Sequence, residues 1–145
     1  MAELRVEANL AELSTIGAFV LKAAEEAGLD RRAAYRLRLA VDELATNVIT
    51  HGNPAAHSGD GQIRFMSTLD PQSLTIVMED RGPAFDPLEH EVPDEYLNKP
   101  IEERPIGGLG VFLAIRGVDG FQYERVGDRN RSIFTARRQT ASSAS

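Results

Sequence analysis

Glu43 and Asn47 are the first residues in the chain whose types and spacing could do chemistry. They stand four residues apart in a segment with helical periodicity, and residues at i and i+4 share one helix face. A carboxylate beside an amide can activate a hydroxyl group and can bind a hard cation such as Mg²⁺ through oxygen. The same pair could also be a solvated helix edge, so other residues must decide between the two interpretations.

Asp80 follows a run of alternating apolar residues, in which Leu74, Ile76 and Met78 share its parity. If the strand continues to Asp80, the carboxylate points to the apolar side of the sheet, where it needs hydrogen bonds. Such a carboxylate can accept a hydrogen bond from an exocyclic amine, such as that of adenine. The alternative is that the strand ends at Met78 and that Asp80 starts a turn.

Gly107, Gly108 and Gly110 stand at the predicted start of a short helix. Bare glycines let a chain approach phosphates, and free backbone N–H groups at a helix start favour anions. A flexible hinge would have the same composition. No strand directly precedes these glycines, so the dinucleotide-binding fingerprint is absent, as are the Walker A and His-Arg-Asp motifs. Arg104 is the cation best placed beside the glycines.

The scaffold for these residues is predicted by hydropathy in the order β-α-α-β-β-α-β-β. The predicted elements are a strand at 4–8, helices ending at Gly28 and before Gly52, a hairpin over 63–79, a helix through Ile115, and strands at 121–126 and 131–137 joined by a turn at 127–130. Helices and strands do not alternate strictly. We therefore expect an α+β fold, a two-layer α/β sandwich with a mixed, mostly antiparallel sheet and helices on one face.

Two segments have no usable periodicity. The stretch from about 86 to 106 is acidic and rich in proline. A stretch of this length inside a compact domain is typical of a functional lid or of a disordered segment, and we expect a lid. Residues 139–145 are small and polar, and we expect them to form a disordered tail. The remaining chain, residues 1–138, is predicted to be one domain.

Composition limits the class of protein. The 145 residues carry 16 basic and 22 acidic side chains, a formal net charge of −6, which argues against a nucleic-acid binder. Cysteine is absent, which excludes disulfides and thiolate metal sites, and the three histidines lack metal-ligand spacing. No apolar run could span a bilayer, and the first residues lack a signal-peptide layout. We expect a cytoplasmic protein with no membrane partner.

The three groups of residues together resemble the GHKL ATPase superfamily, and within it the anti-sigma factor serine/threonine kinases of bacteria. The resemblance covers about Leu4 to Arg138. It is carried by Leu-Ala-Val-Asp-Glu-Leu-Ala-Thr-Asn-Val-Ile-Thr-His-Gly at 39–52, Asp-Arg-Gly-Pro-Ala-Phe-Asp-Pro at 80–87 and Gly-Gly-Leu-Gly-Val-Phe-Leu at 107–113. Tyr-Glu-Arg at 123–125, Gly127, Asn130 and the closing basic strand also look like that family.

The resemblance implies a role for each residue in a site for ATP and Mg²⁺. Glu43 would be the general base, and Asn47 would be the Mg²⁺ ligand. Asp80 would take the adenine amine, with Gly82 giving room beside the base. The other residues implied at the nucleotide are Phe85, Gly107, Gly108, Leu109, Gly110 and Ser132, and Arg104 would approach the terminal phosphate from the lid. Ser132 stands where relatives have a threonine near adenine.

The family resemblance also implies partners. Members phosphorylate a serine or threonine on an anti-anti-sigma protein, sequester a sigma factor, and form homodimers. Two other interpretations remain: a non-catalytic nucleotide-binding module that regulates by sequestering a partner, and an ATPase that only hydrolyses ATP. The presence of both Glu43 and Asn47 favours catalysis over the first of these.

Overall fold

Five strands form one antiparallel sheet that carries the site. The computed structural model describes residues 1–51, 61–87 and 109–138. The strands are β1 (Ala2–Glu7), β2 (Gln62–Leu69), β3 (Ser73–Asp80), β4 (Gly120–Val126) and β5 (Arg129–Arg137). Their order across the sheet is β1-β2-β3-β5-β4, and every neighbouring pair is antiparallel. The predicted α+β sandwich is confirmed, with antiparallel pairing throughout the described sheet.

The helices supply the second layer. A short 3₁₀ turn (Leu10–Glu12) leads into α1 (Leu13–Glu26), which is followed by α2 (Arg31–His51) and the short α3 (Leu109–Ile115). Apolar residues at helical spacing in α1 and α2 pack on the alternating inward residues of the strands, which forms one continuous core. Its largest fully buried side chains are Phe65, Phe134, Ile16, Leu37, Leu44, Ile63, Leu74, Ile76, Met78, Val20 and Val41.

Local side-chain bonds mark where the elements begin and end. Asp30 accepts a 2.7 Å hydrogen bond from the Ala33 N–H and so caps the start of α2. Gly28 has a φ of 74°, a left-handed conformation that suits glycine after the end of α1. Asp70 accepts hydrogen bonds from the N–H groups of Gln72 and Ser73 in the β2–β3 turn, and these bonds hold the pKa of Asp70 below its ordinary value.

The β4–β5 turn differs from the prediction. The sequence predicts a four-residue turn at 127–130, whereas Val126 pairs with Arg129 and only Gly127 and Asp128 form the turn. Gly127 has a φ of 61°, which a two-residue hairpin turn requires and glycine adopts without strain. Because β5 begins two residues earlier than expected, Asn130 is a strand residue.

Several predictions lie outside the described residues. They concern the predicted lid at about 86–106 from residue 88 onwards, the predicted tail over 139–145, and the residues Arg104, Gly107 and Gly108. The described helix α3 begins at Leu109, directly after the two glycines.

Candidate functional site

Asp80 is a buried carboxylate at the end of β3. Its side chain has the same parity as Leu74, Ile76 and Met78, and all four residues are buried, so the strand continues to Asp80 rather than ending at Met78. Oδ1 of Asp80 accepts hydrogen bonds from the Gly82 N–H at 2.9 Å and from the Asn130 side-chain amide at 3.0 Å. Within the described chain no hydrogen bond is made to Oδ2, which leaves this oxygen available to a ligand.

Asn130 holds Asp80 and the loop that follows it. Asn130 lies opposite Asp80 in the β3–β5 register and is only 4% exposed. Its amide also donates to the Pro83 carbonyl at 2.9 Å, while its Oδ1 accepts from the Phe85 N–H at 3.2 Å. The loop carrying Gly82 and Phe85 is therefore fixed to β5 through one side chain.

Two residues of β4 complete this network. The Tyr123 hydroxyl donates to Asn130 Oδ1. The Arg125 guanidinium donates to the Gly82 carbonyl at 2.9 Å and to Asn130 Oδ1 at 3.2 Å. The sequence analysis assigned no role to Asn130, Tyr123 or Arg125. The strand register would have revealed Asn130, but the predicted turn at 127–130 concealed it.

Glu43 and Asn47 are half-buried on the flank of α2, one helical turn apart, as the i, i+4 spacing predicts. A methyl group on Gly110 of α3 would lie 2.7 Å from Glu43 Oε2, which is closer than carbon and oxygen can approach. The glycine therefore lets α3 pass directly against the Glu43 carboxylate. In the described residues the side chains of Glu43 and Asn47 have no hydrogen-bond or ion-pair partner.

Asp42, the neighbour of Glu43, points to the opposite flank of α2, towards α1. Its Oδ2 lies 3.3 Å from Arg38 Nε, and a methyl group on Gly17 of α1 would lie 2.9 Å from the same nitrogen. Burial raises the pKa of the Asp42 carboxyl, and this effect exceeds the opposite influence of Arg38. Asp42 Oδ1 and Arg38 Nε are buried without a hydrogen-bond partner in the described chain.

The sequence-predicted residues thus fall into two groups. Asp80, Gly82 and Phe85 meet around Asn130. Glu43 lies against Gly110 of α3, and Asn47 stands one helical turn from Glu43 on α2. Ser132 is buried on the same side of β5 as Asn130, opposite Met78. No hydrogen bond among the described residues joins the two groups, and both border the same core.

A separate ionic network lies on the sheet face away from the helices. The Glu79 side chain is 7% exposed and lies 3.4 Å from Arg64, 3.5 Å from Arg131 and 3.9 Å from Arg129. Further charges on this face are Arg5, Arg81, Glu3, Glu124 and Asp128. The two signs nearly balance, so we interpret this face as a structural ion-pair network.

Two classes of feature are not found in the part of the chain that the structure describes. Residues 1–51, 61–87 and 109–138 contain no group of three histidine, aspartate or glutamate side chains that could hold a metal ion by itself. Over the same ranges, no helix has the length and apolar character needed to cross a membrane.

Most of the chain matches a known family. Residues 6–135 match the histidine kinase-like ATPase domain, and the chain belongs to that family. The resemblance to the GHKL superfamily seen in the sequence is confirmed. This membership implies a kinase or an ATPase that binds ATP.

The relatives are more specific. The chain is 33% identical over 89 residues to the serine-protein kinase RsbW of Bacillus cereus (strain ATCC 10987 / NRS 248). This alignment covers 59% of this chain and 53% of that protein. The RsbW of Bacillus mycoides is 32% identical with the same coverage. The chain therefore spans about half the length of the curated relatives it matches. A crystal structure of the RsbU and RsbW domains of Rv1364c from Mycobacterium tuberculosis shares the fold, with a TM-score of 0.58 at 14% sequence identity. The superposition covers 97% of this chain and 34% of that chain.

Proposed function

We propose that this protein is an ATP-dependent protein serine/threonine kinase of the anti-sigma type, with its kinase domain over residues 1–138. The observation that carries the proposal is the position of Glu43. Its carboxylate has no partner in the described chain and lies against Gly110, whose missing side chain leaves the carboxylate accessible from α3. An unpartnered, half-buried carboxylate one turn from an unpartnered amide suits the activation of a hydroxyl group.

The residues around Asp80 fit the adenine end of ATP. Oδ1 is already used by Gly82 and Asn130, and Oδ2 is left to accept a hydrogen bond from the exocyclic amine. A bond to an ionised carboxylate contributes about 1.5–3 kcal/mol, which is enough to select adenine over a base that presents a carbonyl oxygen there. Guanine is such a base, so GTP should bind more weakly.

The donor set at Asn47 fits a hard cation. Its amide oxygen is a ligand type that Mg²⁺ prefers, and the phosphates and water would supply the remaining ligands. When bound, Mg²⁺ neutralises the charge of the phosphates. We propose that Gly107, Gly108, Leu109 and Gly110 offer backbone N–H groups to the same phosphates and that Arg104 approaches the terminal one.

The proposed step is an in-line phosphoryl transfer. The serine or threonine oxygen forms a bond to the γ-phosphorus, and the bond from phosphorus to the bridging oxygen of ADP breaks. Glu43 accepts the hydroxyl proton, and ADP leaves with the electron pair. Catalysis of this type depends mostly on positioning, which α2 and the Asn130 network provide.

Asp80→Asn tests the adenine assignment. The amide oxygen can keep the two bonds now made by Oδ1, so the fold should survive, but an NH₂ group replaces Oδ2 and cannot accept from adenine. We expect ATP affinity to fall about 10- to 150-fold. Calorimetry with ATP and GTP measures this. Equal affinity of the wild-type protein for both nucleotides would contradict the assignment.

Glu43→Ala and Asn47→Ala test the kinase against the alternatives. Loss of a positioned base costs about 10²–10⁴-fold in rate, so Glu43→Ala should lose transfer and keep most of its ATP affinity. Asn47→Ala should reduce both. The assay follows labelled phosphate from ATP into each candidate anti-anti-sigma protein of the same genome. ATP binding without any transfer favours the sequestering module, and release of phosphate without a labelled protein favours the ATPase.

The partners belong to this proposal as well. The relatives are named serine-protein kinases, which supports a serine on a protein as the acceptor. The anti-anti-sigma protein as substrate and the sigma factor as sequestered partner come from the resemblance of the sequence to the anti-sigma kinases. We propose in addition that the protein acts as a homodimer in the cytoplasm. Sedimentation of the purified chain with and without ATP measures the first of these two properties.

A further inference from the structure

An exposed apolar ridge runs along α2 to the proposed base. Tyr35 is 60% exposed and Leu39 is 36% exposed, although both are large apolar side chains. Together with Glu43 and Asn47 they follow at intervals of four residues, the spacing of one continuous ridge on a helix surface. We call Tyr35, Leu39 and Glu43 the α2 ridge.

Helix α3 extends this apolar surface sideways. Gly110 lies against Glu43, and a methyl group on Gly117, just after α3, would lie 3.9 Å from Arg36 Cγ. The two segments therefore run antiparallel. This arrangement places Leu113, which is 44% exposed, level with Leu39.

The charge around the α2 ridge is positive in a chain that is acidic overall. Between Asp30 and Asp42 the chain has four arginines and no acidic residue. Arg31, Arg32 and Arg36 are exposed, and Arg38 lies beside Asp42. Positive charges near a helix N-terminus oppose the helix dipole. Of the four, Arg31 and Arg32 lie in the first turn of α2, where the dipole disfavours them, and a role in contact with a partner accounts for them.

We propose that the α2 ridge is the docking surface for the protein substrate, whose docking segment has an apolar side chain and acidic residues. This inference rests on the proposed kinase function and specifies its substrate. The apolar side chain would cover Tyr35 and Leu39, and the acidic residues would meet the exposed arginines. The ridge then leads the segment directly to Glu43.

The geometry of the helix sets the spacing within the segment. With a rise of about 1.5 Å per residue, Leu39 lies about 6 Å and Tyr35 about 12 Å from Glu43 along the axis. An extended chain covers about 3.3 Å per residue. The apolar side chain should therefore stand about two to four residues from the hydroxyl that receives phosphate.

The test uses fluorescein-labelled 13-residue peptides with a central serine and the full chain loaded with ATP and Mg²⁺. The first peptide is symmetric about the serine. On each side of the serine it has a leucine three residues away and two glutamates beyond that leucine. Two control peptides replace the leucine with alanine or the glutamates with lysines. Fluorescence anisotropy measures binding, and labelled ATP measures transfer to the same peptides.

The protein variants are the double substitution Tyr35→Ser with Leu39→Ser, and Arg32→Glu with Arg36→Glu. The matched control is Leu69→Ser, at a 43% exposed apolar side chain at the end of β2. Melting temperatures check that every variant folds. We expect the leucine–glutamate peptide to bind at least about tenfold more tightly than either control peptide, and both double variants to lose this preference. Leu69→Ser should keep it.

Failure of the inference and failure of the proposed function give different results. If no peptide binds, or if the double variants keep the preference, the α2 ridge is not the docking surface. Transfer to a peptide at an unchanged KM in the double variants also contradicts the docking surface, and it leaves the kinase proposal standing. Binding at the ridge without transfer supports the docking surface and contradicts the kinase.

Discussion

Replacing Asn130 with alanine should destabilise the protein and weaken ATP binding together. The change removes the 3.0 Å bond to the Asp80 carboxylate, the 3.2 Å bond from the Phe85 N–H and the bond from the Tyr123 hydroxyl. The first is worth about 1.5–3 kcal/mol and the other two about 1 kcal/mol each. The bonds of Asn130 with Arg125 and with the Pro83 carbonyl are also lost, but we do not count them. The Arg125 guanidinium keeps its own 2.9 Å bond to the Gly82 carbonyl, and water can reach the exposed Pro83.

The free energy of unfolding should therefore fall by about 3.5–5 kcal/mol. For 145 residues, an unfolding entropy of about 2.1 cal/mol/K per residue converts this loss into a decrease of about 12–16 °C in Tm. Circular dichroism measures Tm, and calorimetry well below Tm should show ATP affinity reduced at least about tenfold. Tyr123→Phe removes one bond only and should lower Tm by about 3 °C. If Asn130→Ala melts within about 2 °C of the wild type, Asn130 does not hold the site together.

Three further predictions concern other contacts. Gly110→Ala should slow phosphate transfer at least about tenfold with little change in Tm, because the new methyl group displaces the flexible Glu43 carboxylate. Glu79→Ala should lower the free energy of unfolding, measured in urea, by about 1–3 kcal/mol, because three arginines lose a shared buried partner. The control is Glu124→Ala at an exposed side chain, which should cost less than about 1 kcal/mol. Asp42→Asn should stabilise the fold at pH 7, and this gain should shrink as pH falls towards 4.

The sign of the last effect follows from the raised pKa of Asp42. Between the ordinary value of 3.8 and the raised value, the folded state binds more protons than the unfolded state, so acidification favours folding there. Identical pH profiles for Asp42→Asn and wild type would refute this reasoning.

Gly120→Ala, where a methyl group meets only ordinary contacts, is the control for Gly110→Ala. Equal transfer by these two variants would show that Glu43 is not constrained by α3.

Local patterns were sufficient for the residues whose orientation depends on one element. The four-residue spacing of Glu43 and Asn47 fixes a shared helix face, and the alternation from Leu74 to Asp80 fixes the inward parity of Asp80. Both predictions needed no knowledge of the rest of the chain. The Asp30 cap of α2 is local in the same sense, because it involves only its own helix.

Contacts between distant segments could not be predicted in this way. Asn130 meets Asp80 only because β3 and β5 pair in one register, and hydropathy alternation is the same for registers shifted by two residues. The shorter turn at Gly127 and Asp128 decides which residue lies opposite Asp80. The approach of Gly110 to Glu43 likewise depends on how α3 packs on α2. The sequence showed a glycine there but not which side chain required it.

The bonds between the loop after β3 and the side chains of Asp80 and Asn130 have a consequence for hydrogen exchange and for binding entropy. The N–H groups of Gly82 and Phe85 lie outside any strand, yet they donate to side chains that are nearly inaccessible to water. Their amide protons should exchange as slowly as those of the central strands. The loop that we propose to hold adenine is then ordered before nucleotide arrives, so ATP binding should lose little conformational entropy in this loop.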